Sequence, residues 1–206
     1  MRWVSGLFCA FGLSVADAFL PAQPHITTHH VQHHASRRLA VVRAATGSGD
    51  KKTLERVLIR QGDESDLSKI RLVLASQLMN PLFLQAERFV CAEMDGRLIG
   101  FGQVRPLDGG GGSFEVASLF VDEAERGKGI GSAIVRRLLE RHGAKGTLYL
   151  LTLSKTTPFW ERFGFRLVGS DEDASLPALL RLERSAGTLV AGGLLGQTVV
   201  VMTKDE

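Results

Sequence analysis

Arg126, Gly127, Lys128, Gly129, Ile130 and Gly131 are the residues whose types and spacing most clearly allow chemistry. Glycines let a backbone approach a ligand closely and take conformations that other residues avoid. The apolar pattern starting at Ile130 predicts a helix directly after them. The first turn of a helix offers unpaired N–H groups at the positive end of its dipole. Together these features make an anion site suited to a pyrophosphate. Arg126 and Lys128 could be a solvated basic pair, but a cation at a helix start opposes the dipole, which favours a phosphate role. The turn is not a Walker loop, because no Gly-Lys-Ser/Thr follows at the right spacing. It is not the dinucleotide fingerprint either, because the third glycine position holds Ile134.

The elements around this turn can be read from periodicity. Ser113–Val121 reads as the strand leading into it and Gly129–His142 as the amphipathic helix leaving it, with apolar residues at Ile130, Ala133, Ile134, Leu138 and Leu139. Upstream, Leu54–Arg60 alternates like a strand. Asp63–Asp66 offers N-cap chemistry for a helix whose packed side holds Leu67, Ile70, Leu72, Val73, Leu74 and Leu78, ended by Asn80-Pro81. Phe89–Met94 and Arg97–Val104 flank Asp95-Gly96, a strong hairpin signal. Gly109–Gly112 reads as a slack loop. Downstream come a strand at Thr147–Leu153, a short helix at Thr157–Phe163 stopped by Gly164, a strand at Phe165–Val168, a helix near Leu176–Arg184 and a strand at Thr198–Met202. The fold class is α/β, with a mixed sheet and flanking helices.

Two blocks in this order resemble the GNAT superfamily of acetyl-CoA-dependent N-acetyltransferases. Arg126, Gly129 and Gly131 fill the fixed places of its Q/R-x-x-G-x-G/A motif. Phe159-Trp160-Glu161-Arg162-Phe163-Gly164-Phe165 resembles its F-Y-x-x-x-G-F block. The resemblance implies a GNAT-like fold over residues 54–206, whose fourth and fifth strands splay apart. It implies acetyl-CoA as cosubstrate, with its pantetheine against the backbone of Leu119, Phe120 and Val121 and its pyrophosphate on Arg126–Gly131, where Ser132 adds a hydroxyl. The reaction implied is acyl transfer from a thioester to a primary amine. Lysine acetyltransferases of the superfamily carry a general base eleven residues before the motif, which here is Glu115. Strand alternation sets Glu115 on the face of Ala117 and Leu119. It is either that base or a carboxylate at an exposed strand start. The tyrosine that often protonates the leaving thiolate is replaced by Trp160, and the single tyrosine is Tyr149. Ser154, Thr156, Thr157 or a water are the remaining candidates for that proton. The expected acceptor is a protein lysine or N-terminal amine. The alternatives are a small-molecule amine such as a polyamine or amino acid, or a non-catalytic acyl-CoA-binding regulatory module, which Trp160 keeps open.

Charge and composition narrow the rest. Of 206 residues, 44% are hydrophobic and 23% charged, enough for an ordinary core, and the formal net charge is +3. Residues 1–50 hold four basic residues (Arg2, Arg37, Arg38, Arg43) against Asp17 and Asp50, so most of the excess lies there and the body has no basic surplus for nucleic acid. Residues 1–18 read as a signal peptide: Arg2, an apolar run from Trp3 to Val15, then Ala16 and Ala18. An uncleaved anchor is the other reading, but the run is short for a membrane span. Residues 19–50 contain no acid before Asp50 and are rich in Arg, His and hydroxyls, like a transit peptide and linker. Ala16-Asp17-Ala18-Phe19-Leu20-Pro21 resembles the junction of presequences directed to complex plastids of red-algal descent. Delivery to the plastid stroma is therefore expected, with the secretory pathway as alternative, and no membrane association in the mature form. Cys9 falls in the removed segment and Cys91 in a strand, so no disulfide is expected. No C-x-x-C or H-E-x-x-H pattern is present, so no metal site is expected; the cluster His25, His29, His30, His33 and His34 could bind a metal ion adventitiously but reads as compositional bias of the transit segment.

Overall fold

In the computed structural model, the described residues are 57–77, 79, 84–108, 112–143, 145–169, 171–195 and 198–205. The signal and transit segments assigned to 1–18 and 19–50, and the Asn80-Pro81 break, lie outside them. Among the described residues, seven strands form one mixed sheet: β1 (Val57–Gln61), β2 (Phe89–Met94), β3 (Arg97–Pro106), β4 (Ser113–Val121), β5 (Thr147–Leu153), β6 (Arg166–Leu167) and β7 (Val199–Lys204). Their spatial order is β1-β2-β3-β4-β5-β7-β6, and only the β4–β5 pair is parallel. Four α-helices flank the sheet: α1 (Glu64–Ser76), α2 (Ile130–His142), α3 (Thr157–Glu161) and α4 (Ala178–Leu195).

Strand alternation assigns the helices to faces. Val90 and Ala92 join the core under α2 with Ile130, Ile134, Val135 and Leu138. Phe89 and Cys91 point the other way and pack with Ile70 and Leu74 of α1. Burying a side chain such as Ile134 contributes about 1.5–3 kcal/mol, so the α2 stripe is the main clamp on the motif turn. Leu180 of α4 packs with Leu176 and Val201 on the α1 side, near Tyr149 and Leu151. Asp95 (φ 51°) and Gly96 (φ 76°) make the tight turn of the β2–β3 hairpin, where both central residues need positive φ. Asp63 caps α1 by accepting from Ser65 N at 2.9 Å, and Asp66 accepts from Asp63 N at 2.9 Å.

Several expectations shift. Leu72, expected on the packed side of α1, is 72% exposed, because the buried stripe runs through Ile70 and Leu74. The tail helix runs from Ala178 to Leu195, well past Arg184, through Gly187, Gly192 and Gly193. Those glycines weaken helix propensity, so the local pattern ends before the helix does. The short helix α3 ends at Glu161, and the residues up to Gly164 form a turn. Among the described residues, no helix is long and apolar enough to cross a membrane.

Candidate active site

The sheet opens beside the motif turn. β4 and β5 pair only at Ser113↔Thr147, Phe114↔Leu148 and Glu115↔Tyr149. From Val116 onward β4 has no partner on that side among the described residues, while β5 continues along β7 to Leu153↔Val199. The backbone of Leu119, Phe120 and Val121 therefore borders a wedge between diverging strands. A bulge deepens the divergence. Between the pairs Gln103↔Ala117 and Phe101↔Phe120, β4 carries one extra residue, and Ser118 takes φ 57°. Gln103 Nε2 donates to Ser118 Oγ at 3.1 Å and holds the bulge.

The bulge also resets alternation. Leu119, expected on the face of Glu115, lies on the α2 face, where its Cδ1 is 3.3 Å from the position of a Cβ on Gly102. Ala117 keeps the parity of Glu115 because it precedes the bulge. Phe120 turns to the α1 side and stacks on Phe101, with ring centroids 5.3 Å apart. Three of the cofactor-side candidates are thus presented by their backbones while their side chains anchor the strand on both faces.

A short turn, Glu123–Glu125, leads from β4 into the glycines. Gly127 (φ 80°) and Gly129 (φ 83°, ψ −1°) are left-handed, a conformation that would strain other residues. Gly129 is the N-cap of α2, and its carbonyl accepts from Ala133 N at 3.0 Å. The N–H groups of Ile130, Gly131 and Ser132 lie in the first turn, where a helix has no internal acceptors to offer. A Cβ on Gly131 would meet Val121 Cγ2 at 3.6 Å and Phe159 Cζ at 3.9 Å, both ordinary contacts. The protein itself therefore does not demand glycine at 131.

The two cations of the turn are anchored. Arg126 Nε donates to the Val121 carbonyl at 3.0 Å and ties the turn to the end of β4. Lys128 Nζ pairs with Glu125 Oε2 at 3.1 Å, and Glu125 is 6% exposed. The sequence reading missed Glu125 as the partner of Lys128; their i,i+3 spacing was the available signal.

Glu115 is buried, at 4% exposure, not at an exposed strand start. Arg105, opposite it in the β3–β4 register, donates from Nε to Glu115 Oε2 at 2.7 Å. The same guanidinium reaches Glu183 of α4 at 2.8 and 3.1 Å. Burial pushes the Glu115 carboxyl up, to about 7; Arg105 pulls it down and the Glu183 charge raises it further. Arg105 and Glu183 were both missed. Arg105 was legible as the cross-strand partner once the hairpin register is known, but Glu183 arrives from a helix far along the chain.

Trp160 is 6% exposed and belongs to the α2-side core. Its indole N–H donates to Thr152 Oγ1 at 3.2 Å. Thr156 Oγ1 donates to the Leu153 carbonyl at 2.7 Å, so the hydrogen shared with Thr152 comes from Thr152. This chain runs from Trp160 to a backbone carbonyl and leaves neither threonine hydroxyl proton for a leaving group. Tyr149 stands opposite Glu115 in the β4–β5 register. Burial raises its pKa, followed by the charges of Asp205 and Glu172. The register Leu148↔Lys204 places Asp205 at the end of β5 away from the wedge.

The acetyltransferase (GNAT) family model matches residues 55–165, more than half of the chain and all of the elements just described from β1 to α3. The chain belongs to the GNAT acetyltransferase family. Among solved structures it is similar to Rv2747 from Mycobacterium tuberculosis, in complex with CoA and NLQ, at 25% identity and a TM-score of 0.54, covering 72% of this chain and 98% of that one. It is also similar to N-acetylglutamate synthase from Neisseria gonorrhoeae, complexed with coenzyme A and N-acetyl-glutamate, at 20% identity and a TM-score of 0.53. That match covers 72% of this chain and 34% of the synthase, so this GNAT chain spans about a third of the synthase's length. No curated protein matches the sequence.

Proposed function

We propose that this GNAT protein transfers the acetyl group of acetyl-CoA to a protein lysine or N-terminal amine. The observation that carries the reading is the opening of β4 from β5 immediately after Glu115, bordered by a glycine turn at the start of α2. The unpaired β4 edge offers Leu119, Phe120 and Val121 to the pantetheine amides as a neighbouring strand would. The N–H groups of Ile130, Gly131 and Ser132 and the left-handed Gly127 and Gly129 fit a pyrophosphate. CoA in the Mycobacterium tuberculosis structure supports the same assignment.

Acetyl-CoA supplies a thioester carbonyl open to attack by a neutral amine. Glu115 takes the proton that the acceptor ammonium must lose. A base with a pKa near 7 is mostly ionised at pH 8 and still basic enough to accept that proton. Arg105 fixes the orientation of the carboxylate, and Glu183 in turn holds Arg105. Trp160 positions Thr152 and supplies no proton, so the thiolate leaves without an acid from this side chain; a thiol pKa near 8.5 makes that tolerable. The engaged indole is also what favours the second reading, an acyl-CoA-binding module without turnover.

Residues 1–50 are proposed to deliver the enzyme to a plastid stroma, supported by the acid-free basic stretch after Phe19. The experiment that tests the activity is incubation with acetyl-CoA and a panel of peptides, free amino acids and polyamines, read by mass spectrometry. Acetylated peptide amines are expected. Acetylation confined to free amino acids or polyamines would replace the acceptor assignment, and no acetylated product at all would favour the binding module.

A further inference from the structure

The two cations of the motif turn leave one part of a CoA ligand without a counter-charge. Lys128 is neutralised by buried Glu125, and Arg126 is tied to the end of β4 by the Val121 carbonyl. CoA carries a third phosphate group on the ribose, one sugar beyond the pyrophosphate. A further cation close to the glycine turn comes from the turn that follows α3. Phe159 Cζ is 3.9 Å from the point where a Gly131 Cβ would stand, so the phenyl ring flanks the start of α2. The Arg162 guanidinium lies over the Phe159 ring, 5.1 Å from its centroid. Arg162 is exposed and, among the described residues, makes no ion pair with a carboxylate.

Phe159 is itself fixed by edge-on contacts to Trp160 (5.0 Å) and Phe163 (5.2 Å). A guanidinium stacked on an immobilised ring keeps its N–H fork free for a phosphate while losing little side-chain freedom on binding. The arrangement therefore places a pre-oriented, uncompensated cation one phenyl ring away from the glycine turn.

Resting on the acetyl-CoA reading above, we propose that Arg162, held by Phe159, is the specificity residue for the ribose 3′-phosphate of CoA. It binds the phosphate as a charge-assisted fork and takes no part in acyl transfer. The probes are CoA and 3′-dephospho-CoA, titrated calorimetrically into the full chain and into Arg162→Ala and Arg162→Lys. The wild type is expected to prefer CoA by about tenfold, the scale of one hydrogen-bonded charge contact. Arg162→Ala should bind the two ligands with nearly equal affinity, leaving dephospho-CoA binding unchanged, and Arg162→Lys should recover part of the preference. A preference that survives Arg162→Ala intact would overturn the assignment. Equal weakening of both ligands would do so too, since it would give Arg162 a general role in shape or fold. Failure of the wild type to bind either ligand would instead overturn the acetyl-CoA reading on which the assignment rests.

Discussion

Replacing Glu115 by Gln removes one negative charge from a buried cluster without changing its shape. In the structure Arg105 bridges Glu115 and Glu183, so the variant keeps one carboxylate on the guanidinium and an amide oxygen to accept from its Nε. The fold should survive, and the loss should be chemical. A lysine side chain with a pKa near 10.4 costs roughly 3 kcal/mol to deprotonate at pH 8, whereas an α-amine near 7.7–8 costs almost nothing. A positioned general base contributes about 10²–10⁴-fold. Glu115→Gln should therefore slow lysine acetylation by two or more decades at pH 8, with a much smaller loss on an N-terminal amine. Burial raises the Glu115 pKa to about 7, so the base form disappears as the pH falls through that value. The wild-type kcat/KM should accordingly lose a limb near pH 7 in the variant, and high pH should partly rescue lysine acetylation. The assay is a pH–rate profile of both proteins on matched peptides. Equal losses on both acceptors, with no rescue at high pH, would refute the role of Glu115 as base and leave it the structural partner of Arg105.

Other outcomes follow from the same geometry. Gly131→Ala places its Cβ 3.6 Å from Val121, so thermal melting should be little changed while calorimetry shows acetyl-CoA binding weakened by about tenfold or more, because the added carbon blocks the backbone approach; undiminished affinity would reject the pyrophosphate assignment. Trp160→Tyr should retain activity in steady-state assays, because the indole donates to Thr152 and supplies no proton to the reaction; a stable but inactive variant would reveal a positive role for the indole. A fluorescent fusion carrying residues 1–50 should reach the plastid stroma and its Phe19→Ala form should stall outside it; secretion of both would discard the bipartite presequence.

Much of the positioning scaffold was legible because it is local. Asp95-Gly96 specified the β2–β3 hairpin, and the bounds of β4 and β5 follow directly from their apolar runs. Gly129 marked the start of α2 because a left-handed N-cap and an amphipathic stripe meet there. The bulge at Ser118 was not legible, since serine carries no local signal for positive φ and the bulge depends on pairing with β3 and on Gln103. That single residue moved Leu119 to the other face. The Arg105–Glu115–Glu183 cluster was hidden for a related reason: its members come from two strands and a late helix, and only the folded sheet brings them together. The burial of Trp160 and its bond to Thr152 likewise depend on α3 packing across β5, whereas the motif block alone marked only the missing tyrosine.

The central claim is that the wedge between β4 and β5 and the turn before α2 form one acetyl-CoA site. A crystal structure of the protein soaked with CoA tests it most directly. The pantetheine amides should hydrogen-bond to the backbone of Leu119–Val121 and the pyrophosphate should sit on the N–H groups at Gly127–Ser132, with Glu115 still buried on the α4 side. CoA bound elsewhere, or β4 and β5 closed along their whole length with the turn unoccupied, would contradict it.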